Sequence, residues 1–162
     1  MSKARSFLKY WLPVLLWMAV IFSASGDANS FRRSSRILGP LLHLLFPHMP
    51  EETVNHIVTF ARKCVHLAVY AILAFLVWRA LRQPAKGDPR PWSWREAGWA
   101  ILLVAIYAAT DEFHQHFVPG REASVLDVLL DTSGGAGGMV LVWMIVQRCK
   151  HKRQSRAKEA VG

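Results

Sequence analysis

Residues 97–131 read AGWAILLVAIYAATDEFHQHFVPGREASVLDVLLD and join an apolar segment to a cluster of ionisable residues. The apolar part, residues 97–110, has no polar stripe, although a helix at the surface of a soluble protein normally has one. The next apolar block, residues 125–146, carries Asp127 and Asp131 near its start. Because ionisable groups at membrane depth are costly to bury, this stretch predicts a functional site within a membrane protein.

Apolar residues are concentrated in four blocks, residues 10–22, 64–78, 97–110 and 125–146, and make up 52% of the chain. A membrane helix needs about 20 predominantly apolar residues, so a span through any of the first three blocks must also include flanking residues. A soluble helical bundle is the alternative, but residues 73–78 and 99–107 lack the polar stripe that it requires. We therefore predict an all-α polytopic membrane helical bundle with four transmembrane helices.

The segments between the blocks predict the remaining organisation. Residues 26–36 are rich in Ser and Arg and indicate a loop. Residues 37–49 are apolar but interrupted by Pro40 and Pro47, which is typical of a short interfacial or re-entrant segment. Pro50, Glu51 and Glu52 form a helix-start signature. We expect a single membrane domain over residues 1–150 and a basic, disordered tail over residues 151–162.

The formal net charge of +9 comes from basic residues that flank the apolar blocks. This placement favours membrane orientation over nucleic-acid binding, and the positive-inside rule puts both termini and residues 79–96 in the cytoplasm. The loop 26–62 and the connector 111–124 then face outward. Arg32, Arg33 and Arg36 oppose this topology, but they lie in a longer connection, where the rule is weaker. The N-terminus also resembles a signal peptide, although its large aromatic residues favour a first span.

Candidate site residues cluster at one predicted depth, near the outer leaflet. Helical spacing places each group on one helix face. The groups are Lys63, His66 and Tyr70; Asp111, Glu112, His114 and Gln115; Arg121, after the Pro119-Gly120 turn; and Asp127 with Asp131. We predict that they converge on one site, because so many ionisable groups exceed what tethering of helix ends needs.

Two alternatives concern bound groups. His66, Glu112, His114 and Asp127 could supply metal ligands, but their spacing matches no known metal motif, so metal content stays open. Gly134 and Gly138 favour close helix packing over phosphate binding, because they follow no strand and fit no phosphate-loop pattern. We expect no cofactor.

The chain resembles the VanZ-like family of small bacterial membrane proteins over residues 10–147. The patterns that carry the resemblance are Lys63-x-x-His66-x-x-x-Tyr70, Asp111-Glu112-x-His114-Gln115-x-Phe117-x-Pro119-Gly120-Arg121, and Asp127-x-x-x-Asp131-Thr132-x-Gly134. Ser23-Ala24-Ser25 after Phe22 also fits the end of the family's first span. Many members have Asn in place of Asp131. The resemblance implies a multi-pass protein of the bacterial inner membrane with a cell-envelope role of the teicoplanin-resistance type.

Two functions from different classes follow. In the first, an outward-facing site binds an anionic, lipid-linked envelope component or a membrane lipid through Lys63, His66, Tyr70, Gln115 and Arg121. In the second, a membrane-embedded hydrolase or transferase uses Asp111, Glu112, His114 and Asp127 for acid–base chemistry. The binding function requires no nucleophile, and Ser124 and Thr132 are candidates for one only by proximity. We expect no nucleic-acid partner, and the sequence leaves the oligomeric state open.

Overall fold

The computed structural model describes residues 3–25, 30–85, 88, 90–118 and 124–159. These residues contain helices and no strand, which confirms the prediction of an all-α fold. The helices are α1 (Lys3–Tyr10), α2 (Leu12–Ser25), α3 (Ser30–Leu45), α4 (Glu51–Arg82), α5 (Trp94–Gln115) and α6 (Val125–Glu159).

The first apolar block lies almost entirely in α2, and a break at Trp11 separates α2 from the basic segment that forms α1. The axes of α1 and α2 bend by 40° at the break between them. Pro13 is the second residue of α2, where its missing amide proton is tolerated. Trp17 Nε1 donates to the Val69 carbonyl over 2.9 Å, and the Tyr107 hydroxyl donates to the Met18 carbonyl over 2.6 Å. These bonds attach α2 to both α4 and α5.

Two helices of the described chain, α4 and the Val125–Lys152 part of α6, are long and apolar enough to cross a membrane. The bent α1–α2 pair is a third if it counts as one span. Helix α5 is not in this group, because charged residues at both of its ends lower its mean hydropathy. Of the four predicted transmembrane helices, the described chain therefore has two that are long and apolar enough to cross a membrane, or three with the bent pair, and the count of four stays a prediction.

Helices α4 and α6 approach each other closely along a face of small residues. A Cβ on Gly134 would lie 2.6 Å from the Leu67 carbonyl oxygen, and one on Gly138 would lie 2.9 Å from Ala71 Cα. Real Cβ atoms essentially never come that near to backbone atoms. The interpretation of these two glycines as packing residues is confirmed.

The structure differs from the sequence-based prediction in the 30–36 segment. Helix α3 begins at Ser30, so residues 30–36 are helical rather than loop; residues 26–29 lie outside the described part. Gly39 and Pro40 lie inside α3, and Ile37 and Leu44 are exposed. A Ser/Arg-rich segment can form the polar part of an amphipathic helix, and composition alone did not distinguish that from a loop.

The C-terminal helix extends beyond the last apolar block. Helix α6 reaches Glu159, so the chain is helical over residues 151–159, where composition indicated a disordered tail. The division of the chain at residue 150 stays a prediction.

A buried arginine organises the end of the bundle where α4 ends and α5 begins. Arg82 Nη1 donates to Glu96 Oε2 over 2.7 Å and Nε donates to Asp88 Oδ2 over 3.1 Å. Its Nη2 donates to the carbonyls of Arg90 and Pro91. The side-chain hydrogen bond from Arg90 holds the pKa of Asp88 well below its usual range. The ion pairs and carbonyl bonds therefore fix the α4–α5 connection against the bundle.

Candidate functional site

Asp111 lies at the centre of a hydrogen-bond network that joins three helices. Its side chain is on α5 and the residue is only 1% exposed. Oδ2 accepts from Ser25 Oγ at 2.7 Å, from the Tyr70 hydroxyl at 3.2 Å and from Gln115 Nε2 at 3.1 Å. Oδ1 has no hydrogen-bond partner among the described residues. Asp111 therefore binds α2 and α4 to α5 through one oxygen, while the other stays available to accept a hydrogen bond.

A second buried carboxylate lies on α6 and contacts the same face of α4. Asp131 is 2% exposed, and its Oδ1 is 3.2 Å from His66 Nδ1. His66 and Tyr70 are four residues apart on α4, so consecutive turns of this helix contact the two carboxylates, Asp131 and Asp111. When His66 is protonated, the contact with Asp131 is an ion pair. Such a pair can hold a proton or release it at a defined position.

The two carboxylates and their partners are six residues from four helices, and we call them the polar centre. They are Ser25, His66, Tyr70, Asp111, Gln115 and Asp131. The polar centre lies towards the end of the bundle where α2 and α5 end and α6 begins. The ion pairs of Arg82, Asp88, Arg90 and Glu96, which we call the Arg82 cluster, lie at the opposite end.

Glu112 is also buried, but its contact is of a structural kind. Its Oε1 accepts the backbone N–H of Ser124 over 2.7 Å, at the residue immediately before α6. A carboxylate at this position is stabilised by the positive end of the α6 helix dipole. The bond therefore attaches the end of α5 to the start of α6. A role in tethering these helix ends is enough to explain why Glu112 is there.

The other predicted site residues have different environments. His114 stacks on Phe22 with ring centroids 4.0 Å apart, and its Nδ1 is buried without a partner among the described residues. Asp127 is half-buried on α6, whereas Lys63 is exposed on α4. Arg121 lies outside the described residues. The structure therefore unites five predicted site residues at the polar centre, namely His66, Tyr70, Asp111, Gln115 and Asp131. It leaves the exposed Lys63 about two helical turns from Tyr70.

Ser25 belongs to the polar centre although the sequence-based site did not include it. A hydroxyl at the end of the first apolar block, at the depth predicted for Asp111, was the available signal. That signal is weak, because Ser is common at helix ends and its hydroxyl often bonds to its own helix. Ser25 Oγ also lies 2.8 Å from the Ile21 carbonyl oxygen, so its single proton is donated either to Asp111 or to Ile21.

No group of three or more His, Cys, Asp or Glu side chains within the described ranges is arranged to hold a metal ion. His66 and Asp131 supply one imidazole and one carboxylate, fewer than the ligands of a typical protein zinc site. The described part of the polar centre can therefore do two things chemically. It can accept and donate hydrogen bonds to a polar group, and it can transfer protons through the His66–Asp131 pair.

The fold and the polar centre together define a helical membrane protein with a buried ionisable site at one end of its bundle. The family model VanZ/LLP1 matches residues 10–147, so the chain belongs to the VanZ/LLP1 family, as the sequence motifs indicated. Comparison with curated proteins and with solved structures gave no match.

Proposed function

We propose that this protein binds an anionic, lipid-linked component of the bacterial cell envelope at the polar centre. The observation that carries the proposal is the burial of Asp111 and Asp131, each in contact with side chains from other helices. Ionisable groups within membrane helices are expensive to bury and are retained chiefly at functional sites. A role in glycopeptide resistance or envelope homeostasis belongs to the same proposal.

The proposed topology has four spans, with both termini in the cytoplasm and the polar centre open to the outer side of the inner membrane. Helix α5 is the fourth span despite its lower hydropathy. Asp111 and Glu112, which lower it, are buried inside the bundle rather than exposed to lipid. The Arg82 cluster and the basic residues of the 79–96 segment then face the cytoplasm, as the positive-inside rule requires.

Recognition of the anion is assigned to basic residues around the polar centre. Arg62 is half-buried and Lys63 is exposed, and both lie on the turn of α4 that precedes His66. A guanidinium binds phosphate or carboxylate through two parallel hydrogen bonds, whereas an ammonium acts as a point charge. Arg121 is assigned to the same role on the sequence motif alone. The carboxylates of the polar centre then orient hydroxyl groups of the headgroup.

A membrane-embedded hydrolase or transferase is the second candidate, and the His66–Asp131 pair favours it. An imidazole beside a buried carboxylate can act as a general base, since the carboxylate orients the ring and stabilises its protonated form. The sequence-based assignment gave this role to Asp111, Glu112, His114 and Asp127. In the enzyme proposal, His66 joins them, and the attacking group is water or a hydroxyl of the substrate.

Binding of a matched pair of probes tests the primary proposal. Native mass spectrometry of the purified protein should show retention of hexadecyl phosphate in preference to hexadecanol, because only the phosphate complements Arg62 and Lys63. Arg62→Gln and Lys63→Gln together should remove the preference, while Lys9→Gln with Lys150→Gln, at the opposite end, should keep it. Equal retention of the two probes by the unaltered protein would contradict anion recognition.

Reporter fusions test the topology separately. Fusions after Arg90 and after Lys158 should report the cytoplasm, and a fusion after Glu122 should report the outer side. An outward C-terminus would contradict the four-span arrangement.

A further inference from the structure

A cavity of about 300 Å³ lies between α2, α3 and α4. Its walls are largely aliphatic, with Val20 and Ile21 from α2, Leu38 from α3, and Val65 and Val69 from α4. Its volume is at the lower end of the range of about 300–1,000 Å³ that is typical of small-molecule sites. A space of this size and chemistry suits one hydrocarbon chain.

One side of this cavity is polar and is shared with the polar centre. Ser25, His66 and Tyr70 line the cavity, and Arg62 lines it on the preceding turn of α4. Ser25 and Tyr70 also donate to Asp111, and His66 contacts Asp131. The same three side chains therefore form both the wall of an apolar cavity and the edge of the buried carboxylate network.

We propose that this cavity is the subsite for the hydrocarbon chain of the lipid whose phosphate headgroup binds beside Arg62 and His66. The inference rests on the proposed function and deepens it, because it assigns the apolar part of the ligand to a defined place. The charge of Arg62 complements a phosphate, and a His66 side chain adjacent to it can donate a hydrogen bond. An amphipathic ligand with its head at these residues has its chain directed between α2 and α4.

Helix α3 contributes one wall of the proposed subsite. Leu38 contributes to the wall, while Ile37, Leu41 and Leu44 on the same helix are exposed. An amphipathic helix with an exposed apolar face lies at a membrane surface, where acyl chains are within reach. The position of α3 therefore allows a chain to enter the cavity from the bilayer without passing through water.

Photocrosslinking of the unaltered protein tests the subsite directly. The probe is hexadecyl phosphate with a diazirine near the middle of its chain. Adducts should concentrate on residues 20–25 of α2 and 61–70 of α4. Adducts distributed mainly over the exposed faces of α5 and α6, such as Ile106 and Leu141, would overturn the inference, because those residues report ordinary contact with lipid.

A pair of matched substitutions on α4 provides the quantitative test. Ala61 lines the cavity, whereas Ala68, two turns further along, is exposed and does not. Ala61→Phe should weaken binding of hexadecyl phosphate about ten-fold, which corresponds to excluding roughly two methylene groups from an apolar site. Ala68→Phe should leave binding unchanged, and neither substitution should alter the weaker binding of butyl phosphate.

The outcomes separate the two proposals. If the unaltered protein prefers hexadecyl phosphate to hexadecanol but Ala61→Phe binds it normally, the chain subsite is wrong and the anion site stands. If Ala61→Phe weakens butyl phosphate equally, the substitution acts on the headgroup site and the chain subsite is again wrong. If the unaltered protein shows no preference for the phosphate, both proposals fail. Should Ala61→Phe fail to fold, the crosslinked positions in the unaltered protein decide.

Discussion

Substitution of Gly134 by Ala should separate α4 from α6. The new Cβ would lie 2.6 Å from the carbonyl oxygen of Leu67 and 2.8 Å from its Cα. These are backbone atoms, so no side-chain rotation relieves the contact and the helices must move apart. Overpacking of this kind costs about 1–3 kcal/mol, and contact with backbone places Gly134→Ala at the upper end. The gain in helix propensity offsets about 1 kcal/mol, which leaves a net loss of about 1–2 kcal/mol.

Gly137 is the matched control, because it lies on the same helix and a Cβ there would meet nothing within 4 Å. Gly137→Ala should therefore be neutral or stabilising, by up to about 1 kcal/mol. The two variants should differ by about 2–3 kcal/mol in free energy of unfolding, which is the cost of the clash alone, because both substitutions gain the same helix propensity.

The assay is equilibrium unfolding of both variants in mixed micelles, followed by circular dichroism. Gly134→Ala should also weaken the binding of hexadecyl phosphate, because Asp131 is one turn before Gly134 and its 3.2 Å contact with His66 depends on the helix separation. Equal unfolding free energies for Gly134→Ala and Gly137→Ala would refute the close approach of α4 and α6.

Three further predictions concern single side chains. Arg82→Ala should lower the free energy of unfolding by about 2 kcal/mol, since it removes the charge-assisted hydrogen bonds from a buried guanidinium to the half-buried Asp88 and Glu96, and thermal unfolding measures this. Ser25→Ala should cost about 1 kcal/mol in the same assay by removing the 2.7 Å bond to Asp111, while helical content stays unchanged. Asp88→Asn should reduce the acid sensitivity of stability measured between pH 6 and pH 3. Because Arg90 lowers the folded-state pKa of Asp88, the contribution of the ionised Asp88 to stability is complete above the unfolded pKa of about 4 and declines as pH falls towards the folded-state pKa. If the stability of Asp88→Asn depended on pH as that of the unaltered protein does, Asp88 would not be the source of the acid sensitivity.

Several helices could be predicted from local sequence because the relevant signals are local. Helix α4 begins at Glu51 directly after Pro50, as the helix-start signature indicated. Helix α5 contains the whole 97–110 block, which lacks turn residues and a polar stripe. The Ser/Arg-rich start of α3 was not predicted, because polar composition indicates exposure to solvent and does not exclude a helix.

By itself, the sequence determined that the chain is apolar in blocks, helical, and supplied with carboxylates, imidazoles and a tyrosine at one predicted depth. Helical spacing placed His66 and Tyr70 on one face, but it could not assign their partners. The tertiary structure decided that His66 faces Asp131 rather than His114, that Glu112 accepts from the amide of Ser124, and that Ser25 reaches Asp111. These pairings join residues of different helices, so they depend on how each helix is rotated and how closely it approaches its neighbours. That relationship is set by non-local packing, which no single segment of the chain encodes.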